Sequence, residues 1–111
     1  MEIAYEDFRK VKIHVGTVLS VKNNEKARKP SLILELDFGK EIGVKASSAQ
    51  ITHYYNSENL VGKQIIAVCN FPTKNIADIV SEVLILGVVD NEHKVVLIHP
   101  TKKVKNGLQV Y

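Results

Sequence analysis

Val11, Ile13 and Val15, followed by Leu19 and Val21, share one parity along the chain, the period of a half-buried strand. Ahead of them, Tyr5, Phe8 and Val11 stand three apart, the spacing of a short N-terminal helix. Gly16-Thr17 interrupts the long strand in its middle, where a glycine marks a bulge or bend. The polar, proline-closed stretch 23–30 is a loop. Leu32, Leu34, Leu36 and Phe38 alternate with Glu35 and Asp37 to give a second strand, and Gly39-Lys40-Glu41 turns into a third at 42–46. Ser47 or Ser48 is placed to cap a short helix through Gln50, Ile51 and Tyr54, which ends in a polar turn at 56–59. Residues 64–71 form an apolar fourth strand, buried on both sides and ended by Pro72. After a connection at 73–76, a fifth strand covers 83–89, and 90–93 turns the chain into 95–98. Asn106-Gly107 between apolar residues is a hairpin signal.

Short strands at regular spacing with little helix favour an all-β barrel over a sandwich. A long first strand bent at a glycine belongs to both halves of a five-stranded OB-fold barrel, with a short N-terminal helix in front and a C-terminal strand extension behind. At 111 residues the chain has room for one hydrophobic core, so a single domain over 1–111 is expected. So small a core also makes extra burial through a subunit interface plausible.

Charge and cysteine usage narrow the function classes. A net charge of +3 is well short of a dedicated nucleic-acid binder and matters only if the cations share a face. Cys69 is the one cysteine, so no intrachain disulfide forms, and its apolar run Ile65-Ile66-Ala67-Val68-Cys69 marks it as a small hydrophobe. The acidic start Met1-Glu2-Ile3-Ala4-Tyr5-Glu6-Asp7 has no apolar core of a secretory signal, and no run is long enough to span a bilayer. The expected setting is cytoplasmic, without membrane insertion.

Catalysis has no visible apparatus. His14, His53, His93 and His99 fall in separate elements without metal-ligand spacing, and His14, opposite in parity to Ile13 and Val15, is expected to face solvent. Glu35 and Asp37 form the wet face of a strand, and Lys45 near Ser47 and Ser48 lacks any orienting group or oxyanion hole. No phosphate-cradling or dinucleotide motif is present, and the expectation is no enzyme, no cofactor and no metal. Binding chemistry remains. Lys22, Lys26, Arg28 and Lys29 crowd the first loop, and Lys45, Lys63 and Lys74 punctuate later strand ends. On an OB barrel these positions converge on the usual binding face, to follow a phosphate backbone with Phe71 or Tyr54 for stacking. The alternative is dispersed solubilising charge, and the residues alone leave the two readings level.

Local motifs add to this. Asp7-Phe8-Arg9-Lys10-Val11-Lys12-Ile13-His14-Val15-Gly16-Thr17-Val18 resembles the opening of the tRNA-binding domains that accompany some aminoacyl-tRNA synthetases, as does Asn70-Phe71-Pro72-Thr73-Lys74-Asn75-Ile76-Ala77. Ala27-Arg28-Lys29-Pro30, Leu36-Asp37-Phe38-Gly39, Ser47-Ser48-Ala49-Gln50-Ile51-Thr52 and Ser81-Glu82-Val83-Leu84 are similar to the CsaA group, export-related chaperones of the same superfamily. The likeness runs over residues 7–107. It implies a homodimer built from the N-terminal helix and the C-terminal strands. It also implies a chaperone-like protein that binds unfolded polypeptides or preproteins and passes them to the export machinery, with tRNA or another structured RNA as the alternative partner.

By this resemblance Asn70, Lys74 and Ser81 match the RNA-proximal pattern of the relatives. Expected loop position adds Arg28, Lys29, Lys45, Ser48 and Gln50 as nucleic-acid-binding candidates, and Phe71, Ile76 and Ile79 as the apolar peptide-binding set. Two departures weigh toward the chaperone. Glu82-Val83-Leu84 replaces a Gly-Met ending and brings negative charge, and Glu25-Lys26-Ala27-Arg28-Lys29-Pro30 replaces the basic His-Pro-x-Ala-Asp-Lys loop.

Overall fold

The second strand carries the core as its alternation demands: Leu32, Leu34, Leu36 and Phe38 are all essentially removed from solvent, while Glu35 between them is exposed. The structure is a computed structural model that describes residues 1–111. In chain order it contains α1 (Tyr5–Arg9), β1 (Ile13–Asn23), β2 (Leu32–Asp37), α2 (Gly39–Ile42), β3 (Val44–Ala49), α3 (Ser57–Leu60) and β4 (Gln64–Val68). There follow β5 (Lys74–Ile76), β6 (Ile79–Ser81), β7 (Leu84–Ile85), β8 (Gly87–Val89) and β9 (Val95–Leu97). The antiparallel sheet β3-β2-β1-β4-β7 curls into a nearly closed barrel, with β5–β6 and β8–β9 as separate two-stranded ladders.

β1 is long enough to serve both halves: its first part pairs with β4 as far as Thr17, and from Thr17 onward it pairs with β2. The seam between β3 and the far edge is closed by side chains as well as backbone. The Glu82 N–H donates to the Ala46 carbonyl at 2.8 Å, and the Glu82 carboxylate accepts the Ala46 N–H at 3.0 Å. Ser81 Oγ accepts the Ser48 N–H at 3.1 Å, and Ser47 Oγ donates to the Val83 carbonyl at 3.0 Å. Each bond satisfies a group that the open edges of the sheet would otherwise leave unpaired. This five-stranded barrel with its short N-terminal helix is the OB-type arrangement that the pattern predicts.

The alternation in β1 deceives about its inner face. The register shift lies between Val18 and Ser20, with Leu19 the extra residue, and not at Gly16. Because the side-chain period is two, that insertion changes which parity faces inward. Gly16 and Val18 lie opposite the core residues Ile65 and Leu36, whereas beyond the bulge it is Val21 that lies opposite Leu34. Leu19 is left exposed. Val15 and its partner Ile66 occupy the outer face and are buried there, and the C-terminal segment flanks this part of the strand. That segment runs beside β1 where β2 has not yet begun. The Val15 N–H donates to Leu108, and the Gly107 and Val110 N–H groups donate to Val15 and Ile13, all at 2.8–3.0 Å. Asn106-Gly107 therefore turns the tail onto β1 and does not make a hairpin. His14, expected to face solvent, is half-buried and donates from Nδ1 to the Gly107 carbonyl at 2.9 Å.

Other expected elements shift for identifiable reasons. No helix follows Ser47 or Ser48, because both belong to β3, paired with Leu34 and Ile33. The helical turn is α3, where Asn56 and Asn59 cap each other reciprocally at 3.0 and 2.8 Å. Ile42 ends α2 and does not open the third strand. The fourth strand stops at Val68, short of Phe71, although the Cys69 N–H still donates to the Lys12 carbonyl at 2.8 Å. The run 83–89 divides between β7 on the barrel and β8 on the β9 ladder.

Candidate binding site

Where the outer face of β3 meets the β5–β6 hairpin, a groove of about 470 Å³ opens along the barrel seam. Ile51, Phe71, Ile76, Ile85 and Val95 supply its apolar wall. Ser48, Gln50, Lys74 and Ser81 give polar groups along the same groove. Phe71 lies just beyond β4, next to a proline that cannot extend a ladder, and leaves 54% of its surface exposed. So large an exposed ring in a cleft is a binding feature more than a packing one. The hairpin that forms the opposite wall pairs Ile76 with Ile79 across Ala77 and Asp78, both with positive φ (50° and 69°), the backbone of a type I′ turn. Alanine is a poor residue for that conformation, so the tip of the wall is locally strained.

Ser48, Gln50 and Ile76 also line a second cleft of about 470 Å³, so the apolar groove passes directly into it. Its other side is the loop between β1 and β2, which contributes Lys26, Arg28 and Lys29. Lys26 Nζ lies 3.3 Å from Asp78 of the hairpin turn, an exposed pair that links the two walls at little energetic gain, about 0–1 kcal/mol. Arg28 and Lys29 are exposed and engage no carboxylate. Lys45, on β3, is held 3.8 Å from Glu82 at the seam. The arrangement is an apolar slot that leads into a patch of unpaired positive charge.

Eight of the expected residues therefore come together: Arg28, Lys29, Ser48, Gln50, Phe71, Lys74, Ile76 and Ser81. Lys45 stands beside them through Glu82. Asn70 does not join. Its Oδ1 accepts the Lys12 N–H at 2.9 Å and its Nδ2 donates to the Lys10 carbonyl at 2.7 Å, so the amide is occupied in fastening the end of α1 to the barrel. Ile79 faces Ile76 across the hairpin without lining either cleft. Ile85 and Val95 were missed because their runs read as ordinary core strands; only the split of 83–89 between two ladders brings them to the groove.

No three metal-ligating side chains converge anywhere in the chain. Burial against the core pushes the Cys69 thiol up to about 11, with nearby Lys45 pulling the other way. Thiolate is thus scarce at neutral pH. Alkylation by iodoacetamide is expected to be slow at pH 8 and to accelerate only as pH rises toward 11, followed by mass spectrometry; rapid labelling at pH 7 would contradict this burial.

Elsewhere, Tyr54 donates its hydroxyl to Asp90, which also accepts the N–H groups of Glu92 and Lys94. The bond to Asp90 raises the Tyr54 phenol to about 12 and lowers the Asp90 carboxyl. It ties the β8–β9 turn to the segment after β3. No helix is long and apolar enough to cross a membrane.

Known proteins share this architecture. Residues 13–109 match the family described as "Putative tRNA binding domain". The structure of the chaperone CsaA from Bacillus anthracis str. Ames superposes with a TM-score of 0.93 at 45% identity, covering 100% of both chains. The CsaA chaperone protein from Picrophilus torridus gives 0.92 at 43% identity, covering 99% of this chain and 100% of that one. A methionine–tRNA ligase of Pyrococcus horikoshii is 35% identical over 108 residues, 97% of this chain but 14% of the ligase. The chain thus corresponds to a small part of the synthetases it matches and to the whole of the CsaA structures. With the family match over residues 13–109 and full-length superposition on two CsaA chaperones, the chain belongs to the tRNA-binding-domain family as a CsaA-type member.

Proposed function

We propose that this protein is a non-catalytic, chaperone-like binder of unfolded polypeptides. On this reading it holds apolar stretches of precursor chains in the groove between β3 and the β5–β6 hairpin and delivers them for export from the cytoplasm. The observation that carries the proposal is the exposed Phe71 ring set in an apolar groove of about 470 Å³ that no segment of the chain fills. An extended segment laid there gains apolar burial from Phe71, Ile76 and Ile85, with Ser48 and Gln50 within reach of its backbone. A homodimer fits the same reading: α1 buries none of its residues, Tyr5 and Phe8 form an aromatic pair on it, and Val88, Val96 and Ile98 stand exposed around the β8–β9 ladder.

The test is suppression of aggregation of a chemically unfolded client, together with peptide affinity. Phe71→Ala removes an apolar contact of about 1.5–3 kcal/mol from a bound segment and is expected to weaken peptide affinity at least tenfold. Because the ring is not in the core, the variant should melt close to the parent. Equal suppression by parent and variant would overturn the groove as the binding surface.

A second reading, RNA binding, is favoured by one observation: Arg28 and Lys29 form a patch of unpaired positive charge beside Lys74 and the stackable Phe71. Reversal of Arg28 and Lys29 would then weaken binding to many RNAs alike, with strong salt dependence.

A further inference from the structure

On the other side of the β1–β2 loop the surface carries a second concentration of positive charge. A cleft of about 500 Å³ is bordered by Lys63, His99, Lys102 and Lys103, over a floor that includes Tyr55 and Leu97. No acidic side chain lines it, and none of its three lysines is ion-paired. The fold brings these cations together from separate stretches of chain. Gln64, beside Lys63, donates to the Val104 carbonyl at 2.6 Å and accepts its N–H at 3.1 Å, which fixes the Lys102-Lys103 segment against the start of β4.

This cleft is connected to the basic loop. Tyr55 lines both it and a smaller cleft, of about 340 Å³, that holds Lys22 and His53, and Asn23 and Thr52 join that cleft to the one under Arg28. Midway, at the loop base, Asn24 Nδ2 and Ser31 Oγ are buried without a protein partner in residues only 7% and 4% exposed. Nδ2 carries only protons, so what it lacks is an acceptor, and buried donors left without one are costly. Along the path Glu25 is the one acidic side chain, set against Lys22, Arg28, Lys63, Lys102 and Lys103, so positive charge predominates.

We infer that Lys63, Lys102 and Lys103 form a second phosphate-binding cleft, which extends the contact made by Arg28 and Lys29 around the barrel to a structured RNA. The inference rests on the RNA reading above and names its footprint. Two phosphate contacts steepen the dependence of log K on log salt by about 1.5–2.

Binding of bulk tRNA is measured between 50 and 200 mM salt for the parent, Arg28→Glu/Lys29→Glu, Lys102→Glu/Lys103→Glu, and Lys10→Glu/Lys40→Glu, a control outside both clefts. All six positions are exposed, and thermal melting checks that each variant folds. The inference expects Lys102→Glu/Lys103→Glu to weaken binding and to cut the affinity ratio across that salt range roughly tenfold. The Lys10→Glu/Lys40→Glu control should stay near the parent. If the parent binds and only Arg28→Glu/Lys29→Glu loses affinity, the second cleft is overturned while the RNA reading stands. If the control loses as much as Lys102→Glu/Lys103→Glu, net charge is the cause and the cleft is again overturned. If the parent does not bind at 50 mM salt, the RNA reading falls and takes the cleft with it.

Discussion

Gly16→Ala is expected to destabilise the protein by about 1–3 kcal/mol, as overpacking of a closed core does. The sign is not obvious in advance, since removing a glycine from a strand ordinarily stabilises by about 0.4–1 kcal/mol through the unfolded state. Here the steric effect wins. A Cβ on Gly16 would lie 2.7 and 2.8 Å from two ring carbons of Phe38, and Phe38 is 1% exposed, with the core around it. The ring cannot retreat without disturbing Leu34, Leu36 or Val18, members of the same cluster. Thermal melting should fall by about 4 °C per kcal/mol lost. The cause is separable by a double-mutant cycle with Phe38→Leu, which removes the offending ring. If the clash is the reason, the double variant is less destabilised than the sum of the singles by 1 kcal/mol or more. Additive losses would mean that Gly16 matters for something other than Phe38.

Gly107→Ala should cost about 2 kcal/mol or more, and its effect should be local before it is global. Gly107 has φ +92°, a conformation that charges a residue with a Cβ about 1–2 kcal/mol, and the added carbon would lie 2.5 Å from the Phe38 carbonyl oxygen. Something must move, and the tail is the less anchored partner. It is held by the backbone bonds to β1, by Thr17 Oγ1 donating to Asn106 Oδ1 at 2.7 Å, and by His14 at the Gly107 carbonyl. Hydrogen exchange reads the outcome: the Val15 amide, bonded to Leu108, should lose protection, while the Val18 amide, bonded to Lys63, should keep it. Unchanged exchange at Val15 would mean that the tail does not depend on this turn.

These two glycines also explain where the sequence could be read and where it could not. β2 and β4 are unambiguous, because Leu32 to Phe38 alternate cleanly and Ile65 to Val68 are buried throughout. β1 misleads because Ile13 and Val15 are apolar on the outer face, and a one-residue bulge at Leu19 then hands the inner face to the other parity. A window of ten residues cannot tell two buried faces from one. Ser47 and Ser48 carry helix-capping chemistry, yet they close the barrel seam, a tertiary demand with no local signature. The β5–β6 hairpin escapes notice because its turn is Ala77-Asp78 and lacks the usual glycine.

The site itself was partly legible. Motif likeness and loop position brought Ser48, Gln50, Lys74 and Phe71 to one groove. Asn70 went astray because a matching letter does not say whether its amide is free, and here two backbone groups of the α1–β1 connection, on Lys10 and Lys12, occupy it. The Lys102-Lys103 pair carried no signal, since only the Gln64–Val104 bonds fold that segment back beside Lys63.

Ligand entry at the seam between β3 and the β5–β6 hairpin is the proposal on which the chaperone reading depends. Its most direct test is an amide chemical-shift map of the labelled protein titrated with an unfolded client peptide. Shift changes are expected to concentrate at Ser48, Gln50, Phe71, Ile76 and Ser81, with α2 silent. Saturable binding whose changes fall on α2 or the outer face of β1, and leave those five amides unmoved, would contradict it.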